Sequence, residues 1–324
     1  MTVFLLISLV VAIALAAFLK WAAAKTRAAA LYAEQQIPAI GRMVSLPHTQ
    51  VHVVERGQAR PGVPALLMVH GLAGQLHHFH YGLMAPFEGE TRVVAVDRPG
   101  SGYSTREAGH AITLQDQADV LAALIDELGL GQPVVVGHSL GGALALTLAL
   151  RHPGKVRALA LIAPATHTPD KVPAAFRGID IELAWLQRWV ANTVAVPFAA
   201  MQRDRIMGMI FGPEAVPAGY DVRGGGLLSL RPAHIVAAAE DLQALPKHLP
   251  AIEAMYAQFN SREPALPIHI LYGRGDRILD PAFHGEAFVA KVPRAKLTLV
   301  DGGHMLPLTQ PARCVEFIRG LMAA

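Results

Sequence analysis

The sequence predicts an α/β fold built on a doubly wound, mostly parallel sheet, and three observations predict it. Short, almost wholly apolar runs recur at Ala65–Val69, Arg92–Val96, Pro133–Val136, Ala158–Ile162, Ile268–Leu271 and Lys296–Val300, as expected for parallel strands covered on both faces. Longer stretches with helical spacing separate them, the alternation that winds helices onto both sides of a sheet. The chain has 324 residues, 52% hydrophobic and only 16% charged. Removing an apolar N-terminal segment leaves roughly 290 residues, which suits one large domain with an insertion. That balance excludes a disordered polyelectrolyte.

The N-terminal segment comes first. Val3 to Leu19 is interrupted only by Ser8, and Trp21–Ala24 extends it past Lys20, whose long side chain reaches toward headgroups. As a helix this stretch spans about 33 Å, enough for a hydrocarbon core of about 30 Å. No Lys or Arg precedes it, whereas Lys20, Lys25 and Arg27 follow. That asymmetry favours an uncleaved single-pass anchor over residues 1–25 rather than an export signal, with the rest of the chain on the cytoplasmic side. A periplasmic or secreted domain is the alternative.

Residues 41–46 and 50–55 read as two short strands about a turn at Pro47–Thr49, an antiparallel opening. Thr113 caps a helix whose apolar positions Ala118, Leu121, Leu124, Ile125 and Leu128 recur until Gly129. Leu140–Leu150 and Val315–Met322 also read as helices. The domain therefore divides into a first core part at 41–165, a helical insertion at 166–263 and a second core part at 264–324. Within the insertion, Ile181–Val190, Val196–Ile210 and Ala233–Leu245 have helical spacing. Its Trp185, Trp189 and Met207 are candidates for lining an apolar pocket, although such residues also serve as plain core.

The chemistry begins at Val134-Val135-Val136-Gly137-His138-Ser139-Leu140-Gly141-Gly142, a strand running through Gly-x-Ser-x-Gly into a helix. Gly137 and Gly141 permit the sharp turn, around His138, that lifts the Ser139 hydroxyl above a sheet. A serine needs a base within hydrogen-bond reach and a third group to orient that base. Asp276 follows the apolar run Ile268–Leu271, and His304 follows Lys296–Val300. Both lie downstream of Ser139, in the order serine, acid, histidine.

These residues resemble the α/β-hydrolase superfamily. The matching motifs are His70-Gly71-Leu72-Ala73-Gly74, Asp97-Arg98-Pro99-Gly100-Ser101-Gly102-Tyr103-Ser104, Gly137-His138-Ser139-Leu140-Gly141-Gly142, Asp276 and Gly303-His304, in register from about residue 41 to 321. The resemblance implies a catalytic triad of Ser139, Asp276 and His304. It also implies an oxyanion hole from the backbone N–H groups of Leu72 and Leu140, and an insertion acting as a lid. The layout is similar to membrane-anchored monoacylglycerol lipases. The expected reaction is therefore hydrolysis of a lipophilic carboxylic ester through an acyl-enzyme on Ser139. Lactonase, thioesterase and carbon–carbon bond hydrolase chemistry use the same triad, and a ligand receptor on the same fold is the non-enzymatic rival.

Other readings are weaker. Asp280 rivals Asp276 as the acid; Asp301 reads as a turn residue, His138 as an elbow neighbour, and Asp97 as a loop-ordering group. His77, His78 and His80 cluster, but no second group of acids or cysteines accompanies them, so no metal and no cofactor is expected. Gly100-x-Gly102 and Gly273-x-Gly275 lack the third glycine of a dinucleotide site. The single cysteine, Cys314, rules out an intrachain disulfide. The net charge is only +3 with scattered Lys and Arg, which leaves no footprint for nucleic acid.

Overall fold

The computed structural model describes residues 1–110 and 112–323. Its apolar runs form eight strands of one sheet: β1 (Arg42–Leu46), β2 (Thr49–Arg56), β3 (Leu66–Val69), β4 (Val93–Val96), β5 (Val134–His138), β6 (Ala158–Ile162), β7 (Ile268–Gly273) and β8 (Lys296–Val300). Their spatial order is β1-β2-β4-β3-β5-β6-β7-β8. Only the β1–β2 and β2–β4 pairs are antiparallel; the pairs from β4–β3 to β7–β8 are parallel. The central strands are apolar throughout because each alternate side chain enters a different core. On β3, Leu67 and Val69 pack on one face and Leu66 and Met68 on the other, the period of two that a pleated strand imposes.

The helices, in chain order, are α1 (Thr2–Gln36), α2 (His77–His80), α3 (Leu114–Glu127) and α4 (Leu140–Arg151). The stretch between β6 and β7 contributes α5 (Ala184–Asn192), α6 (Ala195–Met201), α7 (Arg203–Phe211), α8 (Pro232–Glu253) and α9 (Gln258–Ser261), and α10 (Ala287–Lys291), α11 (Leu306–Thr309) and α12 (Pro311–Met322) complete the chain. The cap expected at Thr113 is present: its hydroxyl accepts from Asp116 N at 3.0 Å while the Asp116 carboxylate accepts from Thr113 N.

Three expectations need correction. The helical pattern over Val196–Ile210 is broken at Gln202 (φ −102°, ψ 6°), which separates α6 from α7. Conversely, α8 runs past Leu245 and through Pro246 and Pro250 to Glu253. Burial of Leu249 and Ile252 in the core rewards the extra turns and outweighs the proline cost. The third concerns the segment after the expected anchor, for which the sequence reading assigns no helix: the N-terminal helix continues to Gln36, because Thr26–Gln36 contains neither Gly nor Pro and is rich in Ala. Its first half is exposed, whereas Ala22, Thr26 and Ala33 are buried. Thr26 Oγ1 donates to Thr193 O at 2.6 Å, and Glu34 pairs with Arg231 at 2.9 Å.

Candidate active site

Parallel strands deliver their successors to one edge of the sheet. Leu72 follows β3, Ser139 follows β5, Asp276 follows β7 and His304 follows β8. The turn at Ser139 is sharp: φ is +56° and ψ −119°, a region that a residue with a Cβ enters only under constraint. The constraint is close packing of glycines. A Cβ on Gly141 would lie 2.0 Å from Val69 O, and one on Gly137 2.5 Å from Gly141 O. Gly141→Ala is therefore expected to destabilise the fold by at least about 3 kcal/mol, read as a lowered urea midpoint.

His304 Nδ1–H donates to Asp276 Oδ2 at 2.7 Å. The Asp276 side chain is wholly buried, and its second oxygen accepts from the N–H groups of Ile278 and Leu279 at 2.8 and 2.9 Å. The carboxylate is thus held on both oxygens, and with Nδ1 bound to it the His304 imidazole keeps its Nε2 lone pair free. Asp280 stands apart: its carboxylate accepts from Ala282 N at 2.9 Å. Asp301 is fully exposed. Ser139 is buried, and its neighbour His138 donates from Nε2 to His304 O at 3.0 Å. The His138 and His304 rings lie 5.0 Å apart. Among the described residues no hydrogen bond links the Ser139 hydroxyl to His304, and such contacts often tighten only when substrate is bound.

Leu72 and Leu140 both flank Ser139 on the wall of one cavity. Leu140 opens α4, where its N–H has no acceptor one turn back. The loop that carries Leu72 is pinned by a buried guanidinium. Arg98 Nε donates to His70 O and Nη2 to Gly71 O, each at 3.1 Å, while Nη1 meets Asp241 of α8 at 2.6 Å. Asp97 ties the neighbouring loops, accepting from Leu76 N at 2.7 Å, Tyr103 N at 2.9 Å and His52 Nδ1 at 2.7 Å.

The cavity beside Ser139 measures 250 Å³ and is walled mainly by apolar groups, including Ala165, Phe176, Leu242, Leu245 and Leu279, with Asp170, Asp241 and His284 as polar neighbours. A wider depression of 410 Å³ lies at the opposite edge of the sheet, bordered by Pro64, Arg92, Gln132 and Arg157. The expected pocket residues are placed elsewhere. Trp185 and Trp189 are 68% and 42% exposed, and Met207 packs against a small cluster of Phe211, Met305 and Leu308. An aromatic in a helical insertion carries no sign of which face it joins, so sequence could not separate wall from surface.

His284 was not singled out from sequence, having no motif around it. Its Nδ1 accepts from Thr166 N and His167 N at 3.2 and 3.3 Å, so the imidazole is a neutral Nε2–H donor, and burial pushes its pKa down to about 4. Burial likewise lowers His77 to about 4 and His78 to about 3. His80 Nε2 instead accepts from Arg56 at 2.9 Å. The one cluster whose ligand atoms approach closely enough for a cation, among the described residues, is His48, Glu107 and His110, exposed and remote in sequence from Ser139.

A family profile described as the alpha/beta hydrolase fold matches residues 64–311. The magnesium-chelatase 30 kDa subunit of Rhodobacter capsulatus is 30% identical over 254 residues, 75% of this chain and 81% of its own. The 2-hydroxymuconate semialdehyde hydrolase of Pseudomonas putida is 37% identical over 131 residues, 40% of this chain and 45% of its own. Among solved structures, a bacterial membrane phospholipase A superposes with a TM-score of 0.67 at 21% identity, with 100% of both chains covered. With a profile match over most of its length and the strand order described above, the chain belongs to the alpha/beta hydrolase fold family.

Proposed function

We propose that the protein is a membrane-anchored serine hydrolase of lipophilic carboxylic esters. The observation that carries the reading is the His304–Asp276 pair, joined at 2.7 Å, with the His304 carbonyl hydrogen-bonded to His138, the residue before a serine held at positive φ. In this reading His304 Nε2 takes the Ser139 hydroxyl proton as Oγ attacks the ester carbonyl. The N–H groups of Leu72 and Leu140 hold the oxyanion, each donor lowering the barrier by about 3 kcal/mol. Collapse expels the alcohol, which takes the proton from His304, and a water deprotonated by His304 then releases the acid.

Two features support a lipophilic acyl group. The cavity walls are largely apolar and its volume is 250 Å³, a small hydrophobic site of the kind that takes an acyl chain. Turnover of a medium-chain p-nitrophenyl ester is therefore expected to exceed that of the acetate, read as kcat/KM over a chain-length series. The helices between β6 and β7 contribute Phe176, Leu242 and Leu245 to the wall, which supports their role as a lid. The exposed apolar half of α1, with a mean hydropathy of 2.9, supports the anchor, and the Lys20, Lys25 and Arg27 flank supports a cytoplasmic domain.

A second reading, hydrolysis of a carbon–carbon bond in a vinylogous diketone, draws on the Pseudomonas putida relative. A fluorophosphonate probe and a substrate panel separate the possibilities. The ester reading expects an adduct on Ser139 and turnover of the esters. Turnover of a ring-fission diketone alone supports the second reading. Absence of any adduct refutes both and leaves a ligand receptor.

A further inference from the structure

We propose that the outer face of α5 and α6 lies in the bilayer interface beside the anchor, so that the protein is seated on the membrane by a helix and a ridge together. This rests on the reading of α1 as an anchor. The chain has three tryptophans, and none is in the core: Trp21, Trp185 and Trp189 are 51%, 68% and 42% exposed. Beside the last two stand Leu183, Phe198 and Met201, exposed by 56%, 54% and 80%. Soluble surfaces rarely gather so much apolar area, and Trp concentrates where hydrocarbon meets water.

The occupant is identified by continuity with α1. Both α5 and α6 pack against that helix, and the bond from Thr26 to Thr193 fixes the α5–α6 connection to it. Thr26 lies five residues beyond Trp21, about 7.5 Å along the axis. Headgroup layers are roughly 5–8 Å deep on each side of the hydrocarbon. If Trp21 marks the hydrocarbon boundary, the ridge falls at headgroup depth. Arg188 lies on α5, and Lys20, Lys25 and Arg27 flank Trp21 and Thr26 on α1, all four exposed and without an ion pair among the described residues; with the exposed Glu182 beside Leu183 counted, the balance is still positive and suits anionic lipid.

The three tryptophans are also the probes. Single-Trp forms of the full chain, the other two replaced by Phe, are reconstituted in phosphatidylcholine–phosphatidylglycerol vesicles with or without bromine-labelled phosphatidylcholine. The expected result is quenching of Trp21 and of Trp185 or Trp189, each by about twofold or more. Quenching of Trp21 with neither Trp185 nor Trp189 affected overturns the docking and leaves the anchor intact. If the emission of Trp185 or Trp189 then shifts with protein density in the vesicle, a second copy covers the ridge instead. No quenching at Trp21 overturns the anchor reading itself.

Discussion

Replacing Ser139 with alanine is expected to lower kcat by about four to six orders of magnitude while leaving the fold intact. Alanine retains the Cβ, so the backbone strain at φ +56° is unchanged, and the hydroxyl is the only group lost. Asp276→Asn should cost about 10⁴ in kcat. The amide presents either its oxygen or its NH2 to His304, and the tautomer that leaves Nε2 free is no longer enforced. Stopped assays with a medium-chain ester, run beside circular dichroism of each variant, read both effects. Near-normal turnover by Ser139→Ala would remove the nucleophile from the mechanism.

The second large effect is acid lability. His77 and His284 titrate near 4 and His78 near 3 in the folded protein, against about 6.5 when exposed. Above pH 6.5 all three are neutral in both states and contribute nothing. As pH falls below 6.5 the unfolded chain takes up protons that the folded chain refuses, so stability drops by up to about 4 kcal/mol per pH unit until the folded values are reached. Burial lowers His70, His138 and His234 in the same direction. His52 has the opposite sign: burial opposes its charge, but the adjacent Asp97 carboxylate raises its pKa overall. Its contribution is full below the unfolded value and fades as pH rises through the folded one. Against a typical total of 5–15 kcal/mol, the loss by pH 5 is severe, and Tm is expected to fall by at least about 10 °C between pH 7.5 and 5. A Tm that holds constant over that interval would mean that these imidazoles are hydrated and charge freely.

The centre of the sheet was legible because its strands are buried on both faces, so that runs such as Ala158–Ile162 are apolar without interruption, whereas the edge strand β8 is partly exposed and carries Lys296 and Thr298. Asp276 was legible because it closely follows the apolar run of β7, and His304 because it follows the Leu297, Leu299 and Val300 alternation of β8. The rest depended on partners distant along the chain. Arg98 meets Asp241 across 143 residues, and no local pattern announces that pairing. The packing of α1 beyond the anchor was hidden by composition: nothing in an Ala-rich stretch marks Ala22, Thr26 and Ala33 as the buried positions. The aromatics at positions 185 and 189 misled because hydrophobicity alone does not say whether a side chain turns inward or toward the surface.

The grip of Arg98 on the His70 and Gly71 carbonyls on one side and on α8 on the other makes the insertion a poor candidate for grafting. A chimaera that kept this sheet but took its helices from a relative lacking an acid at the position of Asp241 would strand a guanidinium that is only 1% exposed, at a cost of about 3–5 kcal/mol. Shuffled libraries built on this scaffold should therefore exchange residues 98 and 241 as a unit.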